Sequence, residues 1–480
     1  MAYNLARNSR VFVTTNLNTA TGAVLTTGIT TSNTWEIQVL DGFKFSQGTN
    51  ATTIQIKEAG TTPIRGQRSF NTALNPVDIT FSTYIRPRLA SNQSTAEERV
   101  LWNALMGYVG IEGTTDGAGT TVTGTLLGGT PVATMTRAST TASQAVITGT
   151  SLNTLTVGDI YNITGLTGAN APYANQPVKV INSSATTMTV EYLTAPPAAL
   201  GTAFTSVVVS AGVKFTKGAW VEYPTASGVT TSYGQVTTAL SNRNQLQAIG
   251  FIFVVDDTAY TIDNCAIDQA QIDFGLDAIA MIAWTAKGTK LNQLSAVPTI
   301  VDANTGLENA TATFSGTLTG TAKGKMVSAN YITNKLSTVT LQSKLGGIGG
   351  TPYNVVLTGG SMTIANGITY VTPANIGALN VPIGYFTGTR AISGTLNAYL
   401  RTGAGQVADL LNSMLSNIAT AVETKYRLQV EIGGATAGTR IELDMPGTVI
   451  GIPSVDIADV VSTSITFNAQ STDSIIGAAD

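Results

Sequence analysis

The densest run of titratable side chains is Asp256-Asp257, Asp263, Asp268, Asp273 and Asp277. Two carboxylates converging on one glycosidic bond could share acid and base work, and several around one point could hold calcium. No spacing in the run matches an EF-hand loop or another established ligand pattern. It reads as solvated carboxylates on strand faces and turns. Cys265, the only cysteine, sits in Ile262-Asp263-Asn264-Cys265-Ala266-Ile267. A nucleophilic thiol needs a nearby base or cation to lower its pKa, and the adjacent sequence supplies neither. A buried, inert thiol is expected. Gly346-Gly347-Ile348-Gly349-Gly350 is glycine-rich, but no Lys-Ser/Thr follows and no helix opens there, so it reads as a flexible loop and not a phosphate cradle. Arg65-Gly66-Gln67-Arg68 and Arg86-Pro87-Arg88 are the tight basic pairs. They could touch DNA, and intersubunit salt bridges or solvated turns explain them equally well.

Composition closes most enzymatic routes. The 480 residues include no histidine, which removes Ser-His-Asp and Cys-His catalysis, His-ligated zinc and the usual near-neutral general base. A single cysteine removes disulfide frameworks and Cys-cluster metal sites. Ser-Lys, Thr and paired-carboxylate mechanisms stay formally open. No catalytic, cofactor-binding or metal residue is singled out, and no cofactor is expected.

Charged residues make up 11% of the chain and the formal net charge is −3. So little charge keeps colloidal repulsion low and suits self-association. The balance is not basic, so tight, salt-sensitive binding through phosphate neutralisation is not expected. Met1 to Arg10 carries no apolar stretch behind its charges, which argues against a secretory signal. No run reaches the roughly 18 apolar residues of a membrane helix.

The elements that must position these side chains are mostly strands. Thr-, Val- and Ile-rich runs bounded by Gly, Asn, Pro and Asp recur almost throughout, the pattern of a β-dominated chain. Ile54-Gln55-Ile56-Lys57 and Ile79-Thr80-Phe81-Ser82 alternate, whereas Phe251-Ile252-Phe253-Val254-Val255 is continuously apolar and predicts a strand buried on both faces. Two segments have helical period. One starts at the capping-box spelling Ser94-Thr95-Ala96-Glu97 and continues with Leu101, Trp102, Leu105 and Met106 on one face. The other, from about Gln406 to Val422, sets Val407, Leu410, Leu411, Met414, Leu415 and Ile418 in one stripe. Each is expected to pack one face on a sheet.

The helices expose a repeat. Ser69-Phe70-Asn71 leads to Ile79 through Arg86 before the first helix, and Tyr385-Phe386-Thr387 leads to Ile392 through Arg401 before the second. Asp277 to Trp284 and Asp459 to Phe467 then share an acid, an apolar pair and an aromatic close. A duplicated β-helix-β unit is the expectation. Between Thr115 and Val213 only Asp116, Arg137, Asp159, Lys179 and Glu191 are charged. That segment reads as a small β module inserted in a loop of the first copy, where loops accept whole domains.

Several motifs carry a resemblance. Arg10-Val11-Phe12-Val13-Thr14-Thr15, Glu58-Ala59-Gly60 with Arg65-Gly66, and Phe81-Ser82-Thr83-Tyr84-Ile85-Arg86-Pro87 resemble the tail tube proteins of long-tailed phages. Cys265 to Trp284, Thr358-Gly359-Gly360, Ile368 to Pro373 and Pro382-Ile383-Gly384 are similar to the duplicated tube proteins of siphoviruses of the coliphage T-five type. The likeness covers both copies, and the insert is the departure. It implies an all-β dominated fold: two tandem tail-tube β-sandwich or barrel domains, each with one packed helix, plus the inserted module. The expected division is 1–114 with 214–298, then 115–213 inserted, then 299–480. The family's role is a virion structural protein that stacks in trimeric, pseudo-hexameric rings as a conduit for DNA ejection. Its implied partners are copies of itself, a tape-measure protein, terminator and tip proteins, and viral DNA in transient passage, without membrane insertion. The place is the phage tail, after assembly in the host cytoplasm. An insert that projects outward would clash with a contracting sheath and so favours a non-contractile tail. A head decoration or fibre protein would share the Thr/Gly-rich β character but not the repeat with its two helices. A polysaccharide hydrolase would need convergent carboxylates.

Overall fold

The protein is represented by a computed structural model. It describes residues 9–30, 33–57, 65–85, 100–106, 246–302, 332–343, 352–417, 425–433, 441–456 and 460–469, apart from a few single positions such as Asp41 and Asp277. It also describes Thr61, short strands between 123 and 233, and strands near 306 and 317.

Sixteen strands share one sheet. Before the first helix come β1 (Ser9–Thr14), β2 (Thr34–Ile37), β3 (Lys44–Lys57) and β4 (Arg65–Tyr84); the helix is α1 (Trp102–Met106). Further along the chain come β5 (Ile249–Val255), β6 (Thr258–Asp273), β7 (Met281–Gly288) and β8 (Lys290–Gln293). Then follow β9 (Thr338–Ser343), β10 (Pro352–Val355), β11 (Leu357–Ala365), β12 (Ala391–Tyr399) and helix α2 (Val407–Asn417). The last four are β13 (Lys425–Ile432), β14 (Ile441–Ile450), β15 (Ser454–Asp456) and β16 (Ser462–Ala469). The chain is strand-dominated, as its β-branched composition predicts.

One order of pairing occurs twice. The first half reads β2-β1-β5-β6-β7-β4-β3, and the second reads β10-β9-β13-β14-β16-β12-β11. Registers match as well. Phe81 pairs with Trp284 in the first half, and Leu396 pairs with Ile465 in the second. The halves join where the end of β6, Gln269 to Asp273, pairs antiparallel with Ala365 to Ser361 of β11.

The central strands behave as their patterns require. On β5, Phe251 and Phe253 enter the main core with Val11, Val13, Phe81 and Trp284. Ile252 and Val254 of the same strand pack on the other side with Phe12, Ile300 and Leu318. The expected two-faced burial is present. On β7, Ile282, Trp284 and Ala286 are buried while Met281 and Ala283 are exposed, a strict alternation. Gly394 lets β12 cross closely, since a Cβ there would lie 2.7 Å from the Phe467 ring.

Leu101, just before helix α1, and Leu105 within it are buried, and Trp102 meets Trp284 edge-on at 5.6 Å. Asn366 and Arg390 of the second half donate to the Leu105 carbonyl at 2.8 and 3.1 Å, satisfying an orphan acceptor at the helix end. The capping box at Ser94–Glu97 and the Arg86–Arg88 pair lie outside the described residues. In α2, Val407, Leu410 and Met414 are buried. The predicted stripe is narrower than expected: Leu411 is half-buried and Leu415 is 49% exposed, because the sheet covers only the edge defined by i, i+3 and i+7. Ile418 lies outside the described residues.

The strands between Thr123 and Thr216 form a separate antiparallel sheet of eight, and none of them joins the sixteen-stranded sheet. Ala145, Ile147, Val178, Val180, Met188 and Val190 are buried within it.

Candidate assembly surface

The described carboxylates of the acidic run have separate surroundings. Asp256 and Asp257 form the β5–β6 turn, with Asp256 at φ 47°. Asp263 is buried, accepts the Val24 amide at 2.9 Å and the Asn292 side chain at 2.6 Å, and so ties loops together. Asp268 accepts the Ile368 amide at 2.8 Å and lies 3.5 Å from the Lys287 ammonium. Asp273 is exposed and accepts from Gln271 at 2.9 Å. Asp277 lies outside the described residues. Among the described residues no group of three or more His, Cys, Asp or Glu could hold a metal ion. Cys265 is fully buried, and burial, reinforced by the Asp263 charge, pushes its thiol well above the usual range. Its burial agrees with what its sequence context predicts. Arg68 is exposed, and Gly346–Gly350 lies outside the described residues.

A different feature stands out: eight strands, in the order β3-β4-β7-β6-β11-β12-β16-β15, present one continuous two-faced layer. Antiparallel partners share a face, so the pairing fixes which side chains lie together. One face is the core: Ile79, Phe81, Ile282, Trp284, Ile272, Met362, Leu396 and Phe467. The other is small and polar: Thr80 and Ser82, Ala283 and Thr285, Gln269 and Gln271, Ser361 and Thr363, Ser393 and Thr395, Ser464 and Thr466. Among the described residues its charges include Lys44 and Lys287, the latter 3.5 Å from Asp268, with Asp78, Asp273 and Asp456. Such a face offers hydrogen-bonding groups everywhere and little net field.

Beyond the sheet, β3 and β4 continue as a two-stranded arm from Thr49 with Leu74 to Lys57 with Arg65. Ile54 and Phe70 on one side of it are 54% and 51% exposed. A two-stranded ribbon is marginal alone in water. Part of its support is internal: the Leu74 amide donates to the Asn380 carbonyl at 2.8 Å, and the Asn380 amide to Thr72 at 3.3 Å. The loop bearing Asn380 is itself rich in exposed apolar residues, with Ile376, Leu379 and Ile383. Exposed apolar patches of this kind mark interaction surfaces. The sequence names Thr80, Ser82 and Asp273 but does not bring them into one face, because alternation shows which residues sit together along a strand but not which strands sit side by side.

No family model matches the chain. It is 24% identical over 477 residues to the tail tube protein pb6 of Escherichia phage T5, a match covering 98% of this chain and 74% of that protein. The similarity runs along nearly the whole length of a chain whose fold is strand-dominated and whose strand order is repeated.

Proposed function

We propose that the protein polymerises into stacked trimeric rings, pseudo-hexameric in their inner layer, that form the tube of a phage tail and conduct DNA during ejection. The role is structural and not catalytic. The observation that carries this reading is the similarity to a tail tube protein over nearly the whole chain. The doubled strand order supports it, because each chain offers two equivalent units and three chains offer six. A closed barrel removes edge strands that would otherwise stay exposed, and head-to-tail stacking of rings generates a filament. The polar face of the eight-stranded layer is the lumen surface in this reading. Sparse, balanced charge lets a polyanion slide past without the counterion-release binding of a basic channel. The chain divides into 1–114 with 214–298 and 299–480 as tube units, with 115–213 inserted and projecting outward, which suits a tail without a contracting sheath. The tape-measure, terminator and tip proteins are the further partners.

Electron microscopy of the purified protein at high concentration, with ring averaging, tests the proposal. Hollow tubes whose rings are threefold overall and sixfold-like inside are expected. Solid fibres or chains that stay monomeric would overturn it, and density for 115–213 inside the lumen would overturn the outward placement.

A further inference from the structure

The seam between the two halves has a counterpart that, among the described residues, is left open within one chain. At the inner seam the end of β6 is paired on both sides, by β7 and by β11. The matching segment of the second half runs from Ile452 through β15 to Asp456, and among the described residues β15 is paired only with β16. The matching edge of the first half is Lys44 to Gly48 at the start of β3, whose strand partner is β4. Burial records the difference. Ile272 at the inner seam is 1% exposed beside its partner Met362 at 0%, whereas Val455, which occupies the position of Ile272 opposite Thr463, is 41% exposed.

We infer that a second copy of this chain closes this edge, with β3 of one chain pairing antiparallel to Ile452–Asp456 of the next in the register of the inner seam. The inference rests on the proposed ring assembly and adds its register. The register follows from two alignments through the strands that are paired in both halves. Thr80 and Thr395 are equivalent, so Lys44 takes the place of Ser361 and Phe45 that of Met362. Ile282 and Thr463 are equivalent, so Val455 takes the place of Ile272 and Asp456 that of Asp273. Transferring the inner pairs Asp273 with Ser361 and Ile272 with Met362 sets Asp456 opposite Lys44 and Val455 opposite Phe45.

Both pairs are chemically matched. Lys44 and Asp456 are exposed, of opposite charge, and directly opposed on the polar face. Phe45 is half-buried against Phe43 and Phe253, so part of an apolar ring remains for Val455 to cover on the core side. Ser46 falls opposite Ser454. Pro453 falls opposite Gln47 and brings no amide donor, so this seam is the weaker of the two.

Cysteine cross-linking reads the register directly, since opposed residues of an antiparallel pair have Cα atoms about 5 Å apart, within disulfide range. Chains carrying Ser46→Cys and Ser454→Cys are assembled under reducing conditions, imaged, and then oxidised; the native Cys265 is buried and does not compete. Reducible dimers and a closed covalent trimer are expected. Thr53→Cys with Ser454→Cys lies about 23 Å out of register at 3.3 Å per residue and should give neither. In parallel, Lys44→Glu or Asp456→Lys alone should raise the concentration needed for assembly about fivefold, and the charge swap should restore it. Tubes that form without the Ser46–Ser454 cross-link, or that cross-link through Thr53, would overturn the register and leave the ring proposal standing. Wild-type chains that form no tubes would overturn both.

Discussion

Strands β5 and β7 flank the same strand, β6, yet meet opposite surroundings. β5 is covered on both sides, by the main core and by a second apolar layer built on Ile300 and Leu318. β7 keeps one face in the core and gives the other to the open polar layer. Sequence anticipates each in a different way: a continuous apolar run for β5 and alternation for β7. The difference separates two tasks. β5 lies inside the fold on both faces, while β7 joins the core with one face and carries an open polar surface on the other.

Substitutions can break this contrast. The largest effect belongs to the buried side of β7. Trp284 is packed against Phe81 and Trp102, and its indole N–H donates to Thr83 at 2.9 Å. Trp284→Ala should cost about 3–5 kcal/mol in denaturant unfolding, and a loss under about 1 kcal/mol would show that the core does not depend on it. Ile252→Ala, on the second side of β5, should cost about 2–4 kcal/mol. A neutral result there would mean that the second apolar layer adds nothing.

Alkaline pH gives a smaller and different effect. The hairpin of Thr369–Val371 with Gly384–Phe386 docks through Tyr370, whose hydroxyl donates to the carbonyls of Asn264 and Lys287 at 2.8 and 2.6 Å. Burial pushes the Tyr385 hydroxyl up to about 12 and that of Tyr370 higher still. In the unfolded chain both ionise near 10. Below that pH both states keep the proton and the stabilisation is whole. Between pH 10 and 12 the unfolded chain ionises first, so stability should fall across that window. Equal denaturation midpoints at pH 9 and 11 would contradict this. The smallest change is Ala283→Lys on the polar face. Stability should move by less than about 0.5 kcal/mol, while tubes made of it should retain DNA in a salt-dependent way that wild-type tubes do not. Unchanged DNA retention would remove that face from the lumen.

Much of the fold is legible in the sequence, and for physical reasons. Period and composition are local, so Phe251–Val255, Ile79–Ser82 and the Val407–Leu410–Met414 stripe declare themselves. Leu415 misleads because the apolar pattern of a helix does not say how wide a sheet will cover it. The inner seam is silent in sequence: Gln269–Asp273 has an unremarkable composition, and its pairing with Ser361–Ala365 bridges nearly a hundred residues. The matched strand order of the halves depends on such long-range pairs, and only coordinates reveal it. For the same reason a chemically plausible acidic run, Asp256 to Asp273, proves to be a turn, a loop tie and two surface contacts.

Strand β6 carries a mechanical consequence. It is 16 residues long, about 50 Å at 3.3 Å per residue, and it bonds to β5 and β8 in its first part and to β7 and β11 in its second. A load drawn along it is met by ladders on both flanks acting in shear, many bonds resisting at once instead of opening one at a time. A tilt of one half of the layer would be passed through this strand to the other, although the left-handed Asn264 and the register shift at Ile267/Gln269 interrupt its ladder.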